Sequence, residues 1–154
     1  MKNPKLFLVS APSGAGKSSL IDAVLASAKQ SDLALELSIS YTTRSPRKGE
    51  SNGNQYFFIS EEDFIDKKNS NFFLEYAKVH GNWYGTSVDF VKSKLSSGIN
   101  LILEIDVQGF RQINELDIKY ESIFILPPSI YSLEERIKSR GDEDIESINL
   151  RLKN

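Results

Sequence analysis

Short continuous apolar runs alternate along the chain with stretches in which apolar residues recur at helical spacing. Residues 6–9, Leu-Phe-Leu-Val, form a continuous run between Pro4 and a glycine-rich segment, which predicts a strand buried on both faces of a parallel sheet. From Lys17 to Lys29 the apolar residues fall instead on one face of a helix; they are Leu20, Ile21, Val24, Leu25 and Ala28. The chain therefore begins with a strand, a loop and a helix.

The same alternation continues downstream. Further strands are predicted at residues 35–40, 56–59, 101–106 and 123–126, the last of them of the buried type. Helix starts are predicted after Ser60, with Asp63 completing a capping box, and after Ser87, whose helix ends before Gly98. Other helical segments are predicted near 109–116 and from Ser132, which has Glu135 at the third helical position. Strands alternating with helices predict an α/β fold with a parallel sheet.

Composition narrows the class of protein. The 154 residues are 40% hydrophobic and 26% charged, a profile typical of one globular domain. Because 19 basic residues face 21 acidic ones, giving a net charge of −2, we expect no nucleic-acid or anionic-membrane partner. The absence of cysteine and the single histidine, His80, exclude disulfides and a Cys/His zinc site. The first apolar run is too short for a signal peptide or a membrane span, so we expect a cytoplasmic protein.

Residues 11–18 carry the clearest chemical motif. They match the phosphate-binding pattern G-x-x-x-x-G-K-[ST], except that Ala11 stands at the first glycine. Gly14 and Gly16 allow backbone N–H groups to turn inward around phosphate oxygens, and the following helix adds its positive N-terminal dipole. Lys17 is then expected to reach the β- and γ-phosphates and Ser18 to bind Mg²⁺. The alternative is a glycine-rich turn between strand and helix with a solvated lysine.

A basic turn at residues 42–50 is the second candidate for phosphate binding. Arg44, Arg47 and Lys48 lie within five positions of each other, beside small hydroxyl residues. The arginine fork binds phosphate oxygens through two hydrogen bonds, which lysine cannot do. An isolated basic turn is more often solvated surface, but the phosphate-binding motif nearby favours an anionic nucleotide.

The chain resembles the guanylate kinases. The matching segments keep the family's order and spacing, and they are residues 10–20, 38–49, Asn52-Gly53 with Tyr56, 73–77, 81–87, 103–109 and 123–129. The resemblance implies a P-loop nucleoside-monophosphate kinase fold, a parallel sheet flanked by helices with a small mixed GMP-binding subdomain and a mobile lid. It also implies the reaction of ATP with GMP to give ADP and GDP, with Mg²⁺ as cofactor and the two nucleotides as small-molecule partners.

The resemblance also divides the chain. It implies a single domain over residues 1–154, with a core at 1–34 and 95–131, a GMP-binding subdomain at about 35–90 and a lid at about 132–154. The family continues with a further strand, which bears an Asn-Asp-Asp signature near the adenine, and a final helix. We therefore expect the chain to be incomplete at its C-terminus, with weaker ATP binding and lower stability.

Carried residue by residue, the resemblance assigns the two substrates. ATP is implied at Ala11, Pro12, Ser13, Gly14, Ala15, Gly16, Lys17, Ser18 and Ser19. The GMP phosphate is implied at Ser40, Arg44, Arg47, Tyr56 and Tyr84, and the guanine base at Glu75 and Thr86. Glu104 and Asp106 are implied beside GMP and the water shell of Mg²⁺, with either one nearer the metal. The implied catalytic cations are Lys17, Arg44 and the lid arginines Arg136, Arg140 and Arg151.

The chemistry of guanine agrees with this assignment. Guanine offers N–H donors at N1 and N2 and an acceptor at O6, so a carboxylate and a hydroxyl together select it. Each residue alone has a plainer interpretation: tyrosines as packing, Glu75 as a surface carboxylate, the strand-end acids as a salt bridge and arginines as exposed helix residues. His80 and Trp83 are expected in turn and packing roles.

Two other functions remain open from the sequence. A kinase for another nucleoside monophosphate, such as adenylate or thymidylate, uses the same loop and lid, but Glu75 and Thr86 argue against it. A non-catalytic guanylate-kinase-like module of membrane-associated scaffolds binds phosphopeptides in the equivalent pocket. Such modules generally have a degraded phosphate loop, whereas Gly16, Lys17 and Ser18 are intact here.

Overall fold

The computed structural model of the chain describes residues 3–12, 14–129, 131 and 132. Within them lie eight strands and four helices. In chain order they are β1 (Leu6–Ser10), α1 (Lys17–Gln30), β2 (Leu35–Leu37), β3 (Ser40–Thr42), β4 (Tyr56–Phe58), α2 (Glu61–Asn69), β5 (Phe73–Val79), β6 (Asn82–Ser87), α3 (Val88–Ser96), β7 (Asn100–Glu104), α4 (Val107–Asn114) and β8 (Glu121–Phe124). The strands form two sheets of four.

The first sheet is parallel throughout, in the order β2-β7-β1-β8. Leu6 and Leu8 of β1 pair in register with Leu101 and Leu103 of β7, and all four are at most 1% exposed. Because successive side chains of a strand point to opposite faces, this leucine layer packs on one side with Val91 and Ile113. On the other side Val9 packs with Ile21 of α1 and with Ile102. The prediction that residues 6–9 are buried on both faces is confirmed.

The last strand of this sheet differs from the sequence prediction. Residues 123–126 were expected to form a buried strand, but β8 spans Glu121–Phe124 and all four of its residues are exposed. Ile123 and Phe124 are 46% and 57% exposed. The physical reason is position, because β8 is one of the two edge strands of the sheet that the described residues form. An open apolar pocket of about 140 Å³, lined by Ile123 and by Leu20 and Val24 of α1, lies beside it. An apolar run indicates burial only where another element covers the strand.

The second sheet is mixed and has the order β4-β3-β6-β5. β3 and β4 run parallel, whereas β6 runs antiparallel to both β3 and β5. The single strand predicted at 35–40 is therefore wrong: residues 35–37 pair with β7 in the first sheet, and Ser40–Thr42 belongs to the second. The chain reaches the second sheet only after Leu37, and the GMP-binding subdomain at about 35–90 stays a prediction.

Side-chain caps set the helix starts, as the sequence predicts. The Ser60 hydroxyl accepts a hydrogen bond from the Asp63 N–H at 3.0 Å, and Ser87 accepts one from Phe90 N–H at 3.3 Å. α4 begins two residues before the predicted start because Asp106 caps it, accepting from Gly109 N–H at 2.9 Å. The helix predicted to start after Ser132 begins earlier, since Tyr131 and Ser132 are already helical and the Ser129 hydroxyl accepts a hydrogen bond from Ser132 N–H at 3.0 Å. Everything beyond Ser132 lies outside the described part of the chain.

No helix among the described residues is long and apolar enough to cross a membrane.

Candidate active site

The loop between β1 and α1 has the backbone shape that an anion site needs. Gly14 and Gly16 have φ angles of 84° and 92°, a left-handed conformation that glycine adopts without a steric penalty. Gly16 is also the N-cap of α1 and supplies no side-chain cap, so the start of the helix is not covered by a side chain of its own. Ala11 is not among the described residues with positive φ, which explains why an alanine is tolerated there. Ser13 lies outside the described residues.

Lys17 forms an ion pair with one of the two strand-end acids. Its Nζ lies 3.2 Å from Oε1 of Glu104, and both side chains are partly buried. Lys17 is the first residue of α1 and Glu104 the last of β7, and β7 is the parallel neighbour of β1. The carboxyl ends of the two strands therefore bring the lysine and the acid to the same edge of the sheet.

Asp106, the second of the two strand-end acids, accepts hydrogen bonds from residues of α4. One of its carboxylate oxygens accepts from Gly109 N–H at 2.9 Å, and the other accepts from the Gln108 side-chain amide at 3.0 Å. Both oxygens thus hold the first turn of α4. Among the described residues no cluster of three or more histidine or carboxylate side chains could hold a metal ion by itself. A cation at this edge would need oxygens from a bound nucleotide and water as well.

Arg44 is held by Glu50 across the basic turn. The two terminal nitrogens of the guanidinium donate to the two carboxylate oxygens of Glu50, each at 3.0 Å. Glu50 also accepts from Arg47 N–H at 2.7 Å. These contacts lower the pKa of Glu50, the hydrogen bond from Arg44 being the main cause. The side chain of Arg47 is itself exposed, so the turn offers one ordered and one solvated guanidinium.

Two tyrosines lie beside Arg44. The guanidinium carbon is 5.3 Å from the centre of the Tyr56 ring, and the Tyr56 and Tyr84 rings meet edge to face with centroids 5.9 Å apart. Burial raises the pKa of Tyr56, so its hydroxyl keeps its proton at neutral pH. The cluster therefore presents a cation and two phenolic hydroxyls, groups that can bind a phosphate.

A buried polar pair links β5 and β6. Thr86 donates a hydrogen bond from its hydroxyl to Oε1 of Glu75 at 2.6 Å, and the two are register partners just after a bulge in β5. Glu75 is 5% exposed and Thr86 1%. Burial raises the pKa of Glu75 to about 7; the nearby charge of Asp106 adds to the rise and the Thr86 hydrogen bond opposes it. A carboxylate in this position is an acceptor in need of donors.

Ser40 lies next to this buried pair. Its hydroxyl oxygen is 3.2 Å from that of Thr86, and its contact with the GMP phosphate stays a prediction. The chain Ser40–Thr86–Glu75 therefore runs across β3, β6 and β5.

Three residues next to the predicted site residues were given no role by the sequence analysis. Glu50 orders Arg44, Gly109 lies directly against Glu75, and Gln112 of α4 bonds the backbone of Tyr76. For Glu50 the one local sign is its place in the basic turn, six positions after Arg44. The other two act over more than thirty residues of chain, which a single sequence does not reveal.

The structure describes His80 and Trp83 but not the predicted lid arginines. His80 has a φ of 48° in the turn between β5 and β6, and the Trp83 ring stacks on Phe64 at 5.7 Å, in agreement with turn and packing roles. The lid arginines Arg136, Arg140 and Arg151 lie outside the described residues.

A glycine loop between a parallel strand and a helix, with its lysine beside a strand-end acid, defines a P-loop protein. The second sheet adds an arginine with two tyrosines and, separately, a buried carboxylate with a threonine. Groups able to bind a phosphate and a base, next to a phosphate-binding loop, are the features of a nucleoside-monophosphate kinase.

Comparison with known proteins identifies the family. The guanylate kinase family model matches residues 3–154. The chain is 49% identical over 152 residues to guanylate kinase of Hahella chejuensis, covering 99% of this chain and 71% of the relative. It is 49% identical over 147 residues to guanylate kinase of Cupriavidus metallidurans, covering 96% of this chain and 66% of the relative. The chain belongs to the guanylate kinase family, whose enzymes transfer a phosphoryl group from ATP to GMP.

A solved structure agrees. The crystal structure of guanylate kinase from Anaplasma phagocytophilum superimposes with a TM-score of 0.71 at 28% identity, covering 98% of this chain and 71% of that one. The chain thus spans about two thirds to seven tenths of the length of these relatives.

Proposed function

We propose that this chain binds GMP on its second sheet, with the guanine at Glu75 and Thr86 and the phosphate at Arg44, Tyr56 and Tyr84. The observation that carries the proposal is the buried Glu75 carboxylate, 5% exposed, which has a threonine hydroxyl as its side-chain hydrogen-bond donor. A buried carboxylate is stable only with hydrogen-bond donors or a cation. Guanine supplies two N–H donors at adjacent positions, N1 and N2.

The Thr86 hydroxyl completes the selection. In the structure it donates to Glu75, and rotation about its C–O bond redirects the same proton to an acceptor such as guanine O6 once the base donates to the carboxylate. Adenine presents a donor where guanine has O6 and no donor at N1. It would leave the Glu75 charge buried and unpaired, at a cost of about 1–3 kcal/mol or more. Ser40, through its contact with Thr86, belongs to the same group.

ATP is proposed at the loop of residues 11–19. Backbone N–H groups at the start of α1 face the phosphates, and Lys17 exchanges its ion pair with Glu104 for the β- and γ-phosphates. The donor set fits Mg²⁺, because Ser18 lies in the first turn of α1 and Glu104 at the neighbouring strand end. Glu104 rather than Asp106 is proposed to face the metal through water, since both oxygens of Asp106 are engaged at α4. Bound there, Mg²⁺ would neutralise negative charge on the ATP phosphates.

Phosphoryl transfer itself then needs positioning and positive charge rather than a covalent intermediate. The transition state spreads negative charge over the transferred group, and cations fixed around it stabilise that charge. Lys17 and Arg44 are proposed to supply it from the described part of the site. Arg136, Arg140 and Arg151 are proposed to join them from the lid on the evidence of the sequence alone.

Comparison of GMP with IMP tests the base site most sharply, because IMP lacks only the 2-amino donor. The wild-type chain should prefer GMP by about tenfold or more, the value of one hydrogen bond to a charged group. Glu75→Gln should bring that preference close to one while the KM for ATP stays unchanged. Glu62→Gln, a matched change at an exposed position of α2, should leave both at wild-type values. An undiminished preference for GMP in Glu75→Gln would refute the assignment.

A further inference from the structure

α4 approaches the proposed base site more closely than a side chain would allow. Gly109 is the third residue of α4, and a Cβ placed on it would overlap Oε2 of Glu75 and lie 3.2 Å from the carboxylate carbon. The conflict involves the head of a buried side chain. Any residue other than glycine would displace the Glu75 carboxylate.

The backbone does not require a glycine here. Gly109 is not among the described glycines with positive φ, and its N–H bonds Asp106 as any residue's would. Alanine forms helices more readily than glycine does. A glycine inside a helix of ordinary geometry therefore needs another reason, and the contact with Glu75 provides it.

Gln112, one helical turn further on, fixes the distance between α4 and β5. Its amide nitrogen donates to Tyr76 C=O at 2.6 Å, and its amide oxygen accepts from Tyr76 N–H at 3.2 Å. Because β5 is the outer strand of the second sheet, these backbone groups face away from β6 and are satisfied by the side chain. Tyr76 follows Glu75 directly, so the clamp acts at the residue next to the carboxylate.

We propose that Gly109 is a positioning residue for guanine specificity: its missing side chain sets the place of the Glu75 carboxylate, and Gln112 holds α4 at the corresponding distance. The inference rests on the proposed role of Glu75 in binding guanine. It goes beyond that role because Gly109 and Gln112 act on the position of Glu75, through contacts with Glu75 and Tyr76.

The variant Gly109→Ala tests the proposal directly. The KM for GMP should rise about tenfold, the size of one displaced hydrogen bond to a charged group, with a smaller rise for IMP. The KM for ATP and the kcat at saturating GMP should stay within about twofold, and the melting temperature should not fall below that of the wild type by more than a few degrees. Arg111→Ala, an exposed change on the same helix, serves as the control and should change none of these values.

A double-mutant cycle shows whether the effect passes through Glu75. In a Glu75→Ala background the added Gly109→Ala change should alter the GMP affinity by less than about twofold, because the displaced group is gone. If Gly109→Ala weakened GMP binding in the Glu75→Ala background as much as it does in the wild type, the inference would be overturned. An unchanged preference for GMP over IMP in the Gly109→Ala variant would also overturn it. If Glu75→Ala itself left GMP affinity unchanged, the proposed base site would be refuted, and the inference with it.

Gln112→Ala provides an independent variant that leaves Gly109 in place. Releasing α4 from Tyr76 should also lower the preference for GMP over IMP, by several-fold, with ATP binding unchanged. If Gly109→Ala failed to fold, an unaltered preference in Gln112→Ala would by itself overturn the inference.

Discussion

The Thr86 hydroxyl donates a 2.6 Å hydrogen bond to the Glu75 carboxylate, and both residues are buried between the second sheet and α4. One hydroxyl donor compensates only part of the cost of burying a charge. The pKa of Glu75 therefore rises to about 7, and the group changes protonation state in the physiological range.

The stability of the protein should reflect this titration. Because the folded-state pKa of Glu75 lies above the unfolded value of 4.5, its stabilising contribution is complete below pH 4.5 and is lost as the pH rises through 7. Glu75→Gln, which keeps an acceptor for Thr86, should match the wild type near pH 4.5. At pH 8 it should be more stable by up to about 3 kcal/mol. Chemical denaturation of the two proteins at pH 4.5 and at pH 8 measures these stability differences. The same difference at the two pH values would contradict the assigned titration.

GMP binding should show the opposite dependence on pH. If the ionised carboxylate accepts the two guanine N–H groups as proposed, the affinity for GMP should increase as the pH rises from 6 to 8, with an inflection near 7. GMP's own phosphate also titrates near pH 6. The Glu75→Gln variant retains the pH dependence that comes from the phosphate and lacks the one that comes from Glu75. Calorimetric titration gives the GMP affinity of both proteins, and the ratio of the wild-type affinity to the variant affinity isolates the contribution of Glu75. A ratio independent of pH would show that Glu75 does not change its charge in the empty site.

Glu50 should matter for GMP although it carries the wrong charge to bind a phosphate. It orders the guanidinium of Arg44 and the backbone of Arg47, and its loss lets the arginine side chain move freely before binding. Glu50→Ala should raise the KM for GMP about tenfold, the typical value of a hydrogen bond to a charged group, with the KM for ATP unchanged. Glu62→Ala, at an exposed site in α2, is the matched control. Tighter GMP binding in Glu50→Ala would mean that Glu50 competes with the phosphate instead of ordering its partner.

Lys17 and Arg44 should be essential for turnover. Lys17→Ala and Arg44→Ala each remove a cation that we propose lies near the transferred phosphoryl group, and such groups contribute about 10³–10⁵ in rate. Lys29→Ala, at the exposed end of α1, should retain the wild-type rate. Steady-state ADP formation at saturating substrates measures the loss, and near-normal rates in either active-site variant would refute the role assigned to it.

The sequence predicted those parts of the structure that local patterns determine. The phosphate loop and the Ser60 and Ser87 caps depend on neighbours within a few residues, and the described residues confirm their conformation. Glu75 could be connected with a base only through the family resemblance, since a lone glutamate on a strand has no distinguishing pattern. The single strand predicted at residues 35–40 is instead split between two sheets, because periodicity does not tell which partner a strand finds.

Other features depend on contacts between distant segments. Residues 123–126 form an apolar run typical of a buried strand, yet the strand that forms there, β8, spans Glu121–Phe124 and is exposed, because burial depends on what lies beside a strand. Gly109 meets Glu75 across 34 positions of chain, and Gln112 meets Tyr76 across 36. Nothing in the local sequence of either residue indicates these contacts, and the closest packing of the base site was therefore visible only in three dimensions.

Acceptor specificity tests the central claim most directly. Mg²⁺-dependent ADP formation from ATP should be measured for this chain with GMP, dGMP, AMP, CMP, UMP and dTMP offered separately. We expect turnover with GMP and dGMP and little with the others, since the proposed site at Glu75 and Thr86 fits only guanine. A preference for any other base, or no acceptor-dependent ADP formation at all, would contradict the proposed function.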